Sequence, residues 1–501
     1  MNAQIRRLMR VVIAMFVVLM ISSTYVQFIQ APSLKADSRN ARTIYETSGR
    51  DRGQIIVAGK AIVSSQPSND AFKFQRIYAQ GQLYAPLTGY YSANLKSSTG
   101  LEKETNDILV GDAPSLLAQR NQRLFTGREP QGGSIELTID PAVQQAAWDA
   151  LGGRRGAVAA INPQTGEILA AVSSPSFDPN KLVVHNNTQA LEAAKQMEND
   201  PTKPLDNRVF GGHRYFPGSV FKLVTAAAML SNGDITPETL VDSPDELPLP
   251  QSTAVLKNSH NQKCGDGKPT LQYAFAQSCN TTFAKAAMDI GYERLRQQAE
   301  EFGFNDSNRI PLPVTPSVFP HDSGISQANL AMAGIGQHDV QVTPLHMAQI
   351  AGAIGNGGVM MKPYVVSRIL DANLNETRKN SPRKQGEPIS EATAQQLTEM
   401  MKATVREGTG SKAAVSGVEV AGKTGTAEVG DTGRADAWFV GFAPAENPTI
   451  AFAVVVEGGQ NGIDTAFGGE VAAPIAQRVV SAHIASMKEN TPASVSGEEG
   501  R

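Results

Sequence analysis

A serine three positions ahead of a lysine is the first combination in this chain that could do covalent chemistry. The segment PGSVFK, residues 217–222, leads into an apolar, alanine-rich stretch over residues 223–230. Since Pro and Gly interrupt the chain there, Ser219 is predicted to lie in the first turn of a buried helix, with Lys222 on the same face. A serine becomes a nucleophile when a base lies within hydrogen-bond distance, and a desolvated lysine can act as that base. The pair therefore indicates nucleophilic catalysis by Ser219.

The same serine–lysine spacing recurs at Ser381 and Lys384. This second copy lies in a stretch of Arg, Lys, Asn and Pro that has no apolar face. Nothing there would remove water from the lysine and lower its pKa, so the first copy carries the predicted chemistry.

A second candidate is the run Lys423-Thr424-Gly425-Thr426, which is preceded by an apolar segment. This region is predicted to be a strand, in which alternation places Lys423 and Gly425 on one face. Thr424 and Thr426 then share the other face, and the glycine lets another backbone approach closely. An edge strand with an ammonium group and hydroxyls could pair with an extended peptide and hold its terminal carboxylate. A surface strand that ends in a Lys-Gly turn is the alternative.

The elements that must position these residues lie at both ends of a mostly helical middle. Pro141 marks the first turn of a helix that is predicted to end near the glycines at 152 and 153. The apolar runs 157–162 and 167–173 flank a Pro-Gln-Thr-Gly turn and predict a β-hairpin.

The middle is predicted to be helical to about residue 410. After it come three predicted strands and a final helix, at residues 418–421, 437–442, 450–457 and 472–487. Strands at both ends of a helical middle predict an α+β fold, in which helices cover an antiparallel sheet whose outer strands are far apart in sequence.

The N-terminus is basic and then apolar. Arg6, Arg7 and Arg10 precede an uninterrupted apolar run over residues 11–21, and a weaker apolar pattern reaches residue 28. A span over residues 11–28 is close to the lower limit of about 17 residues for a transmembrane helix. The arginines place residues 1–10 in the cytoplasm. A cleaved signal peptide is the alternative.

Composition excludes some classes of function. The chain has 501 residues, with 45 basic and 48 acidic side chains and a formal charge of −3. It lacks the basic footprint of a nucleic-acid-binding protein, so nucleic acid is not expected as a partner.

Residues 29–135 are polar and weakly patterned and predict a small, mostly β pedestal. Residues 136–487 carry the catalytic signals, and the polar tail at 488–501 is predicted to be disordered.

The two motifs resemble those of the penicillin-binding protein and serine β-lactamase superfamily, whose motifs are S-x-x-K, S-x-N and K-T-G in that order. S-x-N occurs four times here, beginning at Ser38, Ser92, Ser259 and Ser278. The first two precede the nucleophile and fail on order. Ser278 opens a predicted helix whereas Ser259 lies in a polar loop, so Ser278 and Asn280 are chosen as the middle motif.

The resemblance extends over residues 135–485 and is to the transpeptidase domain of class B penicillin-binding proteins. Its further segments are LTID at 137–140, the hairpin turn at 162–166, GQ at 336–337, VTPL at 342–345, NGG at 356–358 and WFVGF at 438–442. The fold it implies is a serine β-lactamase/transpeptidase-like domain, with an all-helical subdomain beside the sheet. A pedestal of the dimerisation-domain type and a transmembrane helix would precede it. The pedestal begins with RGQI at 52–55, but VAG at 57–59 departs from the family's usual continuation.

The resemblance implies acyl transfer from a peptidoglycan stem peptide. Ser219 would attack the carbonyl between the last two D-alanines, with Lys222 as its base. Ser278 would relay a proton to the leaving amine, and Asn280 would hold Lys222 and the substrate amide. Lys423 would keep the network electropositive.

The resemblance also implies how the substrate is held. The hydroxyls of Thr424 and Thr426, on either side of Gly425, would bind the terminal carboxylate. Backbone N–H groups of Ser219 and Thr426 would form the oxyanion hole. An amine of a neighbouring strand would then take the acyl group and create a crosslink. β-Lactams would mimic the D-alanyl-D-alanine end and acylate Ser219.

Two alternatives keep the same motifs: a D-alanyl-D-alanine carboxypeptidase, with water as acceptor, and a non-catalytic penicillin-binding sensor or scaffold. A soluble β-lactamase is disfavoured, because no glutamate can be assigned to activate water.

Residues 29–135 are too few for a glycosyltransferase domain. The resemblance therefore implies a separate membrane glycosyltransferase of the shape, elongation, division and sporulation family, working on the lipid-linked precursor polymer. The short pedestal resembles that of small actinobacterial class B enzymes and favours a role in cell division.

The two cysteines, Cys264 and Cys279, lie 15 residues apart, and Cys279 is the middle residue of the S-x-N motif. In an oxidising compartment a disulfide is expected, which would stabilise the fold by about 3 kcal/mol and clamp the loop beside the site. Two unpaired thiols are the alternative. No spacing matches a metal site or a phosphate loop, so neither a metal nor a cofactor is expected.

Overall fold

The computed structural model describes residues 3–31, 34, 49–116, 131–307, 310–429, 434–458 and 467–490. The predicted disordered tail at 488–501 lies mostly outside these ranges. Its first three residues, 488–490, still belong to the last helix, so the helix is longer than the sequence pattern indicated.

The strands within the described ranges are β1 (Ile55–Val57), β2 (Lys60–Pro67), β3 (Phe74–Tyr78), β4 (Tyr91–Ser92), β5 (Ser97–Ser98), β6 (Ser134–Leu137), β7 (Gly156–Ile161), β8 (Ile168–Ser174), β9 (Glu246–Pro248), β10 (Val255–Lys257), β11 (Met360–Met361), β12 (Val366–Leu370), β13 (Glu376–Lys379), β14 (Lys384–Gly386), β15 (Ala421–Val429), β16 (Arg434–Ala443) and β17 (Ile450–Val456).

The α-helices within the same ranges are α1 (Ala3–Thr24), α2 (Gly81–Thr88), α3 (Gly100–Glu104), α4 (Asn106–Leu109), α5 (Pro141–Leu151), α6 (Asn187–Asn199), α7 (Lys222–Leu230), α8 (Leu271–Ala276), α9 (Asn280–Ile290), α10 (Tyr292–Glu301), α11 (Gln327–Gly334), α12 (Pro344–Gly355), α13 (Glu391–Arg406) and α14 (Gly468–Asn490).

The N-terminal helix α1 continues through a π-helical turn at Tyr25–Ile29. The span Gln4–Ile29 is the one helix among the described residues that is long and apolar enough to cross a membrane, and none of its most apolar stretch is buried against the protein. It contains the predicted segment 11–28. A signal sequence has the same character, so both alternatives fit this helix.

The pedestal sheet has the strand order β13-β12-β6-β1-β2-β3. β1 runs parallel to β6, and β12 pairs antiparallel with the other edge of β6. The prediction of a helical middle missed β12 and β13, because both strands are short, β12 is only partly buried and β13 is exposed. The middle of the chain therefore completes a sheet that begins in the pedestal.

A buried ionic triad holds the pedestal together. Arg52 Nη2 lies 2.8 Å from Glu102 Oε2, and Arg76 Nε lies 2.6 Å from Glu102 Oε1. The Tyr78 hydroxyl also donates to this carboxylate, at 3.1 Å. Burial alone would raise the pKa of Glu102, but the charges and hydrogen bonds of the two guanidinium groups lower it below its usual value. Glu102 is therefore ionised inside the pedestal.

The catalytic sheet has five antiparallel strands in the order β15-β16-β17-β7-β8. Helices α5 and α14 pack on one face, and α12 packs on the other. This confirms the predicted α+β fold, in which strands from the two ends of the domain meet in one sheet. β15, which contains Lys423, is an edge strand.

Local signals place the first helix and hairpin of this domain where the sequence predicted them. Asp140 caps α5 by accepting from the backbone N–H groups of Ala142 and Val143, and Gly152 ends it in the left-handed conformation. Gly166 supplies the positive φ of the turn between β7 and β8.

The helical subdomain surrounds α7, in which every residue is buried. Helices α9, α10 and α13 pack around it. Because α7 begins at Lys222, the apolar stretch that follows anchors the lysine in the centre of the protein.

We expect Glu102→Ala to lower the free energy of unfolding by about 3 to 5 kcal/mol, since it leaves two buried guanidinium groups without their carboxylate. Denaturant titration measures this change. The matched control is Asp112→Ala, which breaks an exposed ion pair with Arg50 and should change stability by less than about 1 kcal/mol. Equal effects of the two substitutions would contradict the role given to the triad.

Candidate active site

Ser219 lies in a 3₁₀ turn, Gly218–Phe221, that continues directly into α7. Gly218 has a φ of 53°, and a Cβ atom built on it would lie 2.4 Å from the carbonyl oxygen of Thr426. The Ser219 turn therefore contacts β15 backbone to backbone, which only glycine permits. Ser219 itself remains partly exposed.

Hydrogen bonds from three segments hold this turn. Trp438 Nε1 donates to the carbonyl of Phe216 at 3.0 Å. The N–H of Gly218 donates to the carbonyl of Gly336 at 2.9 Å. Two residues before the turn, Tyr215 exchanges backbone hydrogen bonds with Val342. The backbone that leads into Ser219 is thus held by three other segments of the protein.

Lys222 is fully buried and reaches the middle motif. Its Nζ donates to Asn280 Oδ1 and to the Ser278 carbonyl, each at 2.8 Å, and lies 3.3 Å from Ser278 Oγ. Burial, and secondarily the charge of Lys423, lower the pKa of Lys222 well below its ordinary value. Lys222 is therefore neutral over a wider pH range than an exposed lysine.

Ser278 lies between two amines. Lys423 Nζ donates to Ser278 Oγ at 2.8 Å, and Lys222 Nζ lies 3.3 Å from the same oxygen. Ser278 has a φ of 60°, an uncommon conformation for a residue other than glycine, just before α9 begins at Asn280. The alternative motif at Ser259–Asn261 forms a separate 3₁₀ turn, and the two lysines contact Ser278 instead.

Lys423 is also fully buried. Its Nζ donates to the carbonyl of Thr424 at 3.0 Å and lies 5.5 Å from the centre of the Phe275 ring. Burial lowers the pKa of Lys423 to about 7. The pKa of both lysines is therefore lowered by burial, and the two amines share one hydroxyl partner.

The face of β15 that carries Lys423 also packs on the Ser219 turn. A Cβ built on Gly425 would lie 2.9 Å from Val220 Cγ1 and 3.0 Å from the carbonyl oxygen of Pro217. Since the carbonyl of Thr426 points outward toward Gly218, the N–H of Thr426 points to the same outer edge. The Thr426 N–H therefore lies on the edge of β15 that faces the Ser219 turn.

The other face of β15 carries Thr424 and Thr426, as alternation predicted. The Thr424 hydroxyl is hydrogen-bonded to that of Thr409 at 2.5 Å, whereas Thr426 is partly exposed. Thr409 was missed by the sequence analysis. The signal that could have found it is the run Gly408-Thr409-Gly410, which breaks the chain between α13 and β15.

A disulfide joins Cys264 and Cys279 beside this cluster. The neighbouring segment is also tied to α9, because Asn280 Nδ2 donates to the carbonyl of Lys257 at 3.2 Å and the Thr281 N–H donates to Asn258 Oδ1 at 3.1 Å. The loop 258–264 thereby forms one fixed wall of the site.

Across the described part of the chain, no group of three His, Cys, Asp or Glu side chains is placed to hold a metal ion. The groups next to the Ser219 turn are the Ser278 hydroxyl, the amines of Lys222 and Lys423, the Asn280 amide and the backbone of β15. These groups serve acyl transfer through a serine ester.

An antiparallel sheet packed on a helical subdomain, with a Ser–Lys pair at their junction and a lysine on the edge strand, defines the penicillin-recognising serine enzymes. The sequence model of the penicillin binding protein transpeptidase domain matches residues 156–481, and that of the penicillin binding protein A dimerisation domain matches residues 52–135. The chain belongs to the penicillin-binding protein transpeptidase family, which confirms the resemblance drawn from the motifs.

Similar proteins are known from mycobacteria. The chain is 40% identical over 495 residues to the peptidoglycan D,D-transpeptidase PbpA of Mycolicibacterium smegmatis, covering 96% of this chain and 99% of the relative. It is 41% identical over 492 residues to PbpA of Mycobacterium tuberculosis, with the same coverage. A solved structure of penicillin-binding protein A from M. tuberculosis, as a ceftriaxone acyl-enzyme, matches with a TM-score of 0.82 and 40% identity, over 87% of this chain and 99% of that one.

Replacing both cysteines by serine should lower the free energy of unfolding by about 3 kcal/mol, because the unfolded chain regains the freedom of a loop of about 15 residues. Denaturant titration of the wild type in the presence of a reductant should give the same loss, since the chain has only 2 cysteines. The serine variant is the control and should not respond to reductant. A wild type that is equally stable with and without reductant would refute the prediction.

Proposed function

We propose that this chain is a peptidoglycan D,D-transpeptidase, which crosslinks stem peptides through an acyl-enzyme on Ser219 and is acylated by β-lactams at the same residue. The observation that carries the proposal is the convergence of two buried lysines, Lys222 and Lys423, on the Ser278 hydroxyl next to the Ser219 turn. The names of the mycobacterial relatives and the acyl-enzyme state of the solved structure support it.

Acylation begins when Ser219 Oγ attacks the carbonyl carbon between the last two D-alanines. The hydroxyl proton passes to Lys222, because burial lowers the pKa of this amine and so favours its neutral form. A C–O bond forms, and the negative charge on the carbonyl oxygen is stabilised by the N–H groups of Ser219 and Thr426. Losing one such donor typically lowers the rate by about 10²- to 10³-fold.

Collapse of the intermediate breaks the C–N bond and requires a proton on the departing D-alanine. Ser278 delivers this proton, because its hydroxyl lies between the amines of Lys222 and Lys423 and can be reprotonated from either. Asn280 keeps Lys222 in place through its 2.8 Å contact and offers its amide to the substrate backbone. The products are the ester on Ser219 and free D-alanine.

The substrate lies along the outer edge of β15 as an additional strand. Its terminal carboxylate is bound by the hydroxyls of Thr424 and Thr426 beside Gly425. The contact between Thr424 and Thr409 fixes the first of these hydroxyls before substrate arrives. Lys423 adds positive potential from the opposite face of the strand.

An amine of a second stem peptide then attacks the ester, which forms the crosslink and returns the proton to Ser219. Water as the acceptor would instead make the chain a carboxypeptidase. A D-alanyl thioester donor offered with competing D-amino acids separates the two reactions. Products that contain the amino acid support transpeptidation, and hydrolysis alone overturns it. Acylation without any turnover supports the penicillin-binding sensor.

The helix Gln4–Ile29 anchors the enzyme in the cell membrane, with Arg6, Arg7 and Arg10 on the cytoplasmic side and residues 29–135 as a pedestal below the catalytic residues 136–487. Lipid-linked precursor polymer comes from a separate membrane glycosyltransferase of the shape, elongation, division and sporulation family. The short pedestal, of the type matched by the penicillin binding protein A model, favours a role in cell division.

Ser219→Ala should abolish covalent labelling by fluorescent penicillin while leaving the thermal midpoint unchanged within a few degrees, because the hydroxyl is partly exposed. Gel fluorescence measures the labelling. The matched control is Ser381→Ala, which changes the second serine–lysine motif at an exposed site. Labelling that survives Ser219→Ala would overturn the assignment of the nucleophile.

Gly425→Ala should slow acylation by about 10²-fold, since the added methyl group would push β15 away from the Ser219 turn and displace the reacting groups by a fraction of an ångström to 1 Å. Stopped-flow measurement with a chromogenic cephalosporin gives the rate. Gly386→Ala is the control, because a Cβ at that position has nothing within 4 Å. Equal rates in the two variants would contradict the packing argument.

A further inference from the structure

Two carboxyl side chains lie side by side at one end of the catalytic sheet. Ala437 of β16 pairs with Val456, the last residue of β17. Asp436, one residue earlier in β16, therefore lies beside Glu457, which directly follows β17. Asp436 is only 6% exposed, and the side chain of Glu457 is 13% exposed. Like charges in this arrangement destabilise a sheet, so the two groups cannot be equivalent.

Their partners are unequal. Glu457 receives hydrogen bonds from Arg208 Nε at 2.8 Å and from the Tyr215 hydroxyl at 3.0 Å. It also forms an ion pair with Arg155, whose Nη2 lies 2.8 Å from Glu457 Oε2. Within the described part of the chain, Asp436 receives one hydrogen bond, from the N–H of Gly458 at 3.3 Å. The negative charge therefore belongs on Glu457.

The proton affinities follow from these surroundings. Burial, opposed by the Gly458 N–H and then increased by the charge of Glu457, raises the pKa of Asp436 to about 7. Burial would also raise the pKa of Glu457, but Arg208 and Arg155 hold it below its usual value. The charged or titratable groups that face this pair from the surrounding elements are Arg155, Arg208, His213, Tyr215 and Arg434.

The pair lies next to β15 and to the segment that leads into the Ser219 turn. On its other side Asp436 is paired with Ala427 of β15, the residue after Thr426. Gly218 packs against the same Ala427, whose Cα lies 3.1 Å from a Cβ built on the glycine. Tyr215, which donates to Glu457, is four residues before Ser219. A shift of either carboxyl group would move both sides of the oxyanion hole.

We propose that Asp436 is a positioning residue for acylation, whose proton allows it to lie against Glu457 and so keeps β15 and the Ser219 turn in their reactive arrangement. Loss of that proton places two negative charges side by side in a buried site. Their repulsion moves β16 and the residues it pairs with, and acylation slows. The readout of this inference rests on the proposed function.

The test compares the rate of acylation by a chromogenic cephalosporin in the wild type and in Asp436→Asn, from about pH 6 to about pH 9. Asparagine has nearly the shape of the protonated acid and stays neutral. Titration of Lys222 and Lys423 affects both proteins alike, so it cancels in the ratio of their rates. We expect a variant-to-wild-type ratio near 1 at low pH that rises about 5- to 10-fold across pH 7. A constant ratio overturns the inference.

Thermal stability gives an independent readout. A carboxyl group whose pKa is raised on folding stabilises the fold less as pH increases from its unfolded value, near 4, through its folded value. Asp436→Asn should therefore have a thermal midpoint that rises relative to the wild type up to about pH 8 and then stays level. Asp149→Asn, on the exposed face of α5, is the matched control and should show no such trend.

Asp436→Ala serves as the second variant if the asparagine protein does not fold. Alanine is compatible with β16 at this point, since it occupies both neighbouring positions, 435 and 437. It removes the same titration and should flatten the high-pH loss of rate. A wild type that is not acylated at any pH overturns the proposed function and this inference with it. Acylation with the same pH profile in all variants overturns this inference alone.

Discussion

The burial of two lysines against one hydroxyl is the constraint on which the rest of the site depends. Both amines have lost their water, and two ammonium ions so close together in a dry environment would repel each other. Burial lowers the pKa of both lysines, and the charge of Lys423 lowers the pKa of Lys222 further. Both lysines therefore favour the neutral amine more than an exposed lysine does, and the Ser278 hydroxyl lies within hydrogen-bond distance of each.

Close backbone contact makes this arrangement possible. Ser219 belongs to the helical subdomain and Lys423 belongs to the sheet, and the two layers meet where Gly218 and Gly425 leave no side chain between them. The buried apolar residues of α7 and the hydrogen bond from Trp438 then fix the distance between the Ser219 turn and β15. Catalytic geometry here is a product of packing, because a methyl group at either glycine would separate groups that must lie within hydrogen-bond reach.

Sequence patterns located the parts of the site that are contiguous in the chain. Ser219 and Lys222 are on one helical turn, and the alternation of β15 correctly divided Lys423 and Gly425 from the two threonines. The middle motif needed the order of the family's motifs, since its spacing occurs four times. Thr409, Asp436 and Glu457 were not predicted, because their significance depends on which strands are neighbours and in what register. No local pattern contains that information, and the same holds for the pairing of β12 with β6.

The pairing of β6 with β12 has a consequence for how the protein is made. β6 is synthesised more than two hundred residues before its partner, so its outer edge stays open while most of the catalytic half is still emerging. Unpaired strand edges are sites of wrong association. Biosynthesis of this chain therefore includes a long interval in which the early sheet needs protection, and a shortened chain that stops before residue 366 would keep that edge permanently exposed.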